Sequence, residues 1–411
     1  VKQSIYSHRY DNGLVLVAEA INSLESAAFT FIAPAGCAYD PPGRAGLASL
    51  TCDLALRGSG DLDNRQFIEM LDNLGVERSE GVSDAHTSYS GAMLAGDLPR
   101  ALGLYANLLR RARLPEDEFD ACQQVILQEL QSIEDDPHSK TMIELRRRHV
   151  PPPWGRSSHG TRETVEAATI DDVRANYARL YRPNGCILGV AGRIEWEPLR
   201  DQVAKLLADW KPLPEIELKA GQTGPRVDHV PYEGQQTHIG IAYDSVPYRD
   251  PKYFQAWGAV GALSGGMSSR FFTEVREKRG LCYTVYASYN TLRDRGSVVC
   301  YAGTSADRAQ ETLDVMLFEL RRLAKGIEAH EIDRLKARIK SSLIMQQESS
   351  AARSSAIARD WYHLERVRPL DEVSRLVDEL SCESINAYLA ASPPDNFTVL
   401  TLGPEPLKVA T

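Results

Sequence analysis

Arg276 and Tyr283 stand seven residues apart at the end of a long block running from Leu263 to Tyr283. A guanidinium donates in a rigid fork that suits carbonyl and carboxylate oxygens, and a phenol O–H can stabilise an oxyanion. Taken alone, the two residues also read more simply, with Arg276 in an ion pair with Glu274 or Glu277 and Tyr283 as an ordinary strand residue. Other reactive side chains form no constellation. The nine histidines are dispersed, and no two have metal-ligand spacing on one helix. There is no G-x-S-x-G elbow, and neither G-x-G-x-x-G nor G-x-x-x-x-G-K-[ST] occurs, which argues against a serine hydrolase or a nucleotide site. The seven cysteines are odd in number and contain no C-x-x-C pair, so they are expected to be small core residues.

The elements that must carry these residues form a plan that occurs twice. In the first half, Leu14–Glu19 and Ala27–Ala33 read as antiparallel strands around a turn at Asn22-Ser23. A helix follows Gly46, and another carries Leu102, Tyr105, Leu108 and Leu109 at helical spacing. A long helix runs from Glu116 to Glu134, between Pro115 and Pro137. A helix near Ile170–Tyr181 and a closing strand, Asn184–Gly192, complete this half. The second half repeats the order with strand His238–Tyr243, helix Gln310–Leu323, long helix Ala329–Gln347 and closing strand Asn396–Gly403. A repeat of about 200 residues is a domain duplication, since solenoid units are far shorter. The expected division is 1–213, a Pro- and Gly-rich linker over 214–226, and 227–411. Strands in antiparallel order mixed with helices give an α+β class, two homologous domains each with a mostly antiparallel sheet.

Several segments together carry a resemblance. Gly46-Leu47-Ala48-Ser49-Leu50-Thr51-Cys52-Asp53, followed by an apolar run and Arg57-Gly58-Ser59, resembles the zinc helix of the pitrilysin/insulinase-type metallopeptidases (inverzincins). Ala35–Asp40, Gln128-Glu129-Leu130-Gln131, Gly160-Thr161-Arg162-Glu163 and the block Leu263–Tyr283 are similar to further segments of that family, and the similarity runs almost end to end. It is closest to the short two-domain branch, which includes mitochondrial processing peptidase subunits and the core proteins of the cytochrome bc1 complex. The resemblance implies two domains arranged as half of a clamshell. It also implies that Ser49 and Asp53 occupy the positions of the two ligand histidines, Cys52 that of the base glutamate and Glu129 that of the third ligand. A catalytic zinc needs three protein ligands and an open position for water, so no metal is expected in this chain. The favoured reading of Glu129 is a carboxylate kept for helix packing or a local hydrogen bond. Arg276 and Tyr283 match the family's R/Y pair, which acts on substrate across from a zinc.

The expectation that follows is a non-zinc subunit of a heterodimeric endopeptidase. A homologous partner with an intact H-x-x-E-H motif would hold the zinc, and this chain would contribute Arg276 and Tyr283 to peptide substrates. A catalytically inert scaffold, like the respiratory core subunits, or a peptide-binding homologue is the alternative. Ser83–Ser90 resembles the edge strand along which family members extend substrates. Net charge is −9, which argues against a nucleic-acid footprint. No apolar run is long enough to span a bilayer, so a soluble cytoplasmic or periplasmic protein is expected.

Overall fold

The computed structural model describes residues 3–409. Two compact units divide the chain, each built on its own sheet. The first sheet contains β1 (Ser4–Arg9), β2 (Val15–Ala20), β3 (Ser26–Ala33), β4 (Glu77–Val82), β5 (Thr87–Leu94) and β6 (Ile187–Gly192). Their order is β1-β2-β6-β3-β5-β4, antiparallel except for β2 beside β6. The second contains β7 (Val227–Pro231), β8 (Gln236–Ser245), β9 (Cys282–Thr291), β10 (Gly296–Ser305) and β11 (Thr398–Gly403). Their order is β9-β10-β8-β11-β7, with β11 and β7 parallel. The orders superimpose strand for strand from β4 to β2 and from β9 to β7. The two halves thus share one topology, and the α+β class holds.

The helices also recur in order. The first half has α1 (Leu47–Ala55), α2 (Leu98–Arg111), α3 (Phe119–Asp135), α4 (Pro137–His149) and α5 (Ile170–Leu180). The second has α6 (Tyr253–Ser264), α7 (Ala309–Leu323), α8 (Ala329–Gln347) and α9 (Ser350–Leu364). The long helix expected from Glu116 opens with a 3-10 turn over Glu116–Glu118 before α3. Strands β2 and β3 run antiparallel as expected, but β6 lies between them, a long-range insertion that local periodicity does not reveal.

The units are not the contiguous halves expected from the sequence. The first comprises the chain up to Ser132, Pro152–Gly221 and Ile344–Leu370, and the second comprises Ile133–Pro151, Gln222–Leu343 and the chain from Asp371 onward. The helix after each long helix is exchanged. α4 packs on β8 and β11 of the second sheet, and α9 packs on β6, β3 and β2 of the first. Each exchanged helix covers the sheet face left open by its unit's main core. Val15, Val17, Ile32 and Ile187 meet Ile357 and Ala358 in one unit, while Ala242, Val299 and Leu400 meet Leu145 in the other. This explains why β6 and β11 are buried along their whole length, as strands covered on both faces must be. At Gly189 of β6 the approach is so close that a Cβ would lie 2.4 Å from the Ser354 carbonyl oxygen of α9. A buried ion pair adds to this contact, with Arg353 of α9 donating from Nε to Glu19 Oε2 of β2 at 2.8 Å.

No regular secondary structure occurs between Leu213 and Gly224. The segment is nevertheless tied down, since the Gly221 amide donates to the Pro152 carbonyl at 2.7 Å and the Gly224 amide donates to that of Arg148 at 3.0 Å. Among the described residues no helix is long and apolar enough to cross a membrane.

Candidate functional site

In the first unit, α1 begins after Gly46, whose φ of +92° requires glycine or strain. Gly46 has no side chain to cap the helix, and Asp40 does so from six residues upstream. Its two carboxyl oxygens accept from the Gly46 and Ala48 amides, each at 2.9 Å. Burial pushes Asp40 up to about 7 against these hydrogen bonds and the nearby Arg156 and Arg179. Ahead of it, the Cys37 and Ala38 amides donate to the carbonyls of Ser83 and Asp84 at 2.9 Å, which fixes Ala35–Asp40 against the turn between β4 and β5.

The four positions that the resemblance assigns to zinc ligands and base are each engaged within the fold. Ser49 donates its hydroxyl to the Ser158 carbonyl at 2.7 Å. Cys52 is buried beside Tyr89 and Tyr181, whose hydroxyls are 2.6 Å apart. Burial pushes the Cys52 thiol up to about 12, so it is neither a thiolate ligand nor a base near neutral pH. Asp53 pairs with Arg57 at 3.4 Å, one turn on, and Arg57 also meets Glu118 at 3.5 Å. Glu129 is exposed on α3 and lies 3.3 Å from Nε2 of His159. Among the described residues, no three His, Cys, Asp or Glu side chains stand close enough to hold a metal ion. The donor set therefore does not fit a zinc ion. His159 was not singled out in the sequence because it stands thirty residues from Glu129 with no helical relation to it. Only the loop after α4 brings the two together.

Ser83–Ser90 is not an edge strand. Ser83–His86 forms the turn, and β5 pairs on both sides, with β3 and with β4. The edge is β4, which is almost fully exposed. Alternation along β5 is that of an inner strand with one half-covered face, which the sequence pattern alone does not separate from an edge. In the same turn, His86 lies 5.1 Å from the Tyr362 ring, with an enclosed Nδ1 that lacks a hydrogen-bond partner among the described residues. Burial pushes this imidazole down to about 4. The unfolded chain therefore binds a proton that the folded chain refuses between about pH 4 and 6.5, and stability is lost as pH falls through that window. His86→Phe should flatten this part of the profile, read as the urea midpoint against pH. An unchanged slope would assign the pH dependence to other groups.

In the second unit, Arg276 lies on a π-helical turn, Phe272–Glu277. Such turns widen a helix locally and recur at functional sites. Phe271 and Val275, both 0% exposed, anchor it. The Arg276 guanidinium is held between two rings, 4.8 Å from the Phe272 centroid and 4.9 Å from that of Tyr283. The simple ion-pair reading does not hold. Glu274 is taken by Lys278 at 2.8 Å and Arg279 at 2.9 Å, which together hold its carboxyl below the usual range. Among the described residues Arg276 has no ion pair. Tyr283 lies on the edge strand β9, at a register shift where Cys282 faces Thr304 and Thr284 faces Gly303. A bulge of this kind turns a side chain away from the sheet, and Tyr283 is 81% exposed. Arg276 and Tyr283 thus form one stacked unit, with Arg276 half-buried and Tyr283 exposed. The spacing of the pair is legible in the sequence, whereas the π-turn and bulge depend on tertiary packing.

All seven cysteines are free, and five of them are buried, as expected for core residues.

Two family models match this chain. The insulinase (peptidase family M16) model covers residues 15–150, and the peptidase M16 inactive domain model covers 167–339. An uncharacterized zinc protease of Rickettsia bellii is 24% identical over 388 residues, covering 94% of each chain. Among solved structures, the peptidase M16 inactive domain from Pseudomonas fluorescens has a TM-score of 0.87 at 20% identity over 99% of both chains. A protease from Helicobacter pylori has a TM-score of 0.88 at 18% identity, over 98% of this chain and 100% of that one. With both domain models of one family matched in order, and the two-sheet fold shared along the whole length, the chain belongs to the insulinase-type M16 peptidase family.

Proposed function

We propose that this chain is the non-zinc subunit of a heterodimeric zinc endopeptidase, supplying Arg276 and Tyr283 to peptide substrates that a homologous H-x-x-E-H subunit cleaves. The observation that carries this reading is the contrast between the two loci. The positions aligned with zinc ligands are engaged by Ser158, Arg57 and His159. Arg276 and Tyr283 are held ready by stacking and bulge, with no internal partner for their polar ends among the described residues. Arg276 would fork onto a substrate carbonyl, and the Tyr283 O–H would donate to the oxyanion of the tetrahedral intermediate. The partner would supply the metal and the general base.

The test is peptide cleavage with zinc analysis on this chain alone and mixed with its H-x-x-E-H homologue. The expected result is one zinc per heterodimer and turnover only in the mixture. Absence of a complex, with no gain in activity, would sink the heterodimer reading. One observation favours the alternative of an inert peptide-binding homologue. The exposed edge β4 offers unpaired backbone groups that hold an extended peptide by β-augmentation without chemistry.

A further inference from the structure

A cavity of about 180 Å³ lies between the end of α6, the loop Gly265–Ser269 and α8. Its volume is below the ~300 Å³ at which whole small-molecule sites begin, so it is sized for one end group. Its floor is neutralised, since Arg270 and Glu331 form a buried fork–fork pair with both contacts at 2.7 Å. Two further guanidiniums line the wall. Arg338 donates to the Gly265 carbonyl, and Arg334 donates to that of Ser268 at 3.3 Å. Both side chains are exposed, and among the described residues neither has a carboxylate partner. The cavity therefore carries two uncompensated positive charges. They stand one helical turn apart on α8, a like-charge arrangement that destabilises a helix and that a bound anion relieves. Each guanidinium uses one nitrogen on the loop and keeps further N–H groups for a ligand.

We propose that this pocket holds the terminal carboxylate of a bound peptide on Arg334 and Arg338. The proposal rests on the peptide-handling reading above, and placement supports that occupant. The pocket loop ends at Ser269, and the chain continues directly into the helix bearing Arg276. The seven-residue step from Ser269 to Arg276 is roughly 10 Å of helix, a span that about three residues of extended peptide cover. A peptide lying on Arg276 and Tyr283 has its end in reach of the pocket.

The experiment uses the intact chain and an N-terminally labelled alanine-based peptide, with either a free or an amidated C-terminus, followed by fluorescence anisotropy. Inorganic phosphate, followed by its effect on Tm, is a second probe that needs no peptide. The free-acid peptide should bind about tenfold more tightly than the amide. The difference should shrink in Arg334→Ala, disappear in Arg334→Ala/Arg338→Ala, and largely survive in Arg334→Lys. Arg334→Ala keeps the Arg338 contact to Gly265, so its weakened discrimination does not require the loop to collapse. Equal binding of acid and amide, with no response to phosphate, would overturn the pocket while leaving peptide binding intact. Binding of neither peptide, with a phosphate-induced rise in Tm that the double variant lacks, would overturn the peptide-terminus assignment and the peptide-handling reading beneath it.

Discussion

Tyr283→Phe should lower kcat of the mixed complex by roughly 100-fold, the scale of losing one oxyanion donor, with KM changed little. The substitution removes one hydroxyl and leaves the ring on which Arg276 stacks. Because Tyr283 is 81% exposed, the Tm of the isolated chain should not move, which separates a catalytic effect from a folding one. Arg276→Lys is the companion variant. It keeps the charge but loses the planar fork and much of the stacking between Phe272 and Tyr283. Single-turnover kinetics at saturating H-x-x-E-H partner are the appropriate readout. Unchanged turnover in Tyr283→Phe would remove the phenol from the mechanism and leave the bulge at Cys282–Thr284 without a chemical role.

The second large effect concerns stability. Arg353→Ala should cost about 3–5 kcal/mol, because it strips the partner from a carboxylate taken out of water. Arg353 and Glu19 are each only 4% exposed in their side chains, and they join α9 to β2. Among the described residues the one other side-chain hydrogen bond to Glu19 is a donation from Gln3 Nε2 to Oε1 at 2.5 Å, which does not neutralise a charge. Urea unfolding gives the comparison, provided that m is unchanged between variants. Arg353→Met combined with Glu19→Leu removes both charges and should recover most of the loss. A loss below about 1 kcal/mol in the single variant would mean that water reaches Glu19 and that the pair contributes little.

Local pattern carried much of the architecture. The closing strands, the paired long helices and the repeat itself follow from periodicity and from Pro and Gly punctuation, which are properties of short windows. What was not legible depends on distant chain. That β6 enters between β2 and β3, and that α4 and α9 change sheets, is decided by which apolar face finds cover, and both exchanged helices carry only weakly amphipathic patterns. The site divides in the same way. Substitution at Ser49, Cys52 and Asp53 was visible residue by residue. The Asp53–Arg57 pair is a local i,i+4 spacing legible in the sequence, whereas the partner of Ser49 was not, because Ser158 arrives on a loop more than a hundred residues from α1. The spacing of Arg276 and Tyr283 was legible, but their stacking was not, since it needs a π-turn and a bulge at once. The edge strand was misplaced because alternation reports one covered face and is silent on whether both backbone edges are paired.

The exchange of α4 and α9 has a consequence for the duplicated chain as a piece of evolution. Once each repeat lends a helix to the other, neither copy remains a foldable object. Residues 1–213 alone would present Val15, Val17, Ile32 and Ile187 as a bare apolar face, and a cut within 211–226 would leave two fragments each still rooted in the other's sheet. Selection for a folded neighbour retains each copy, whatever chemistry its own side chains carry.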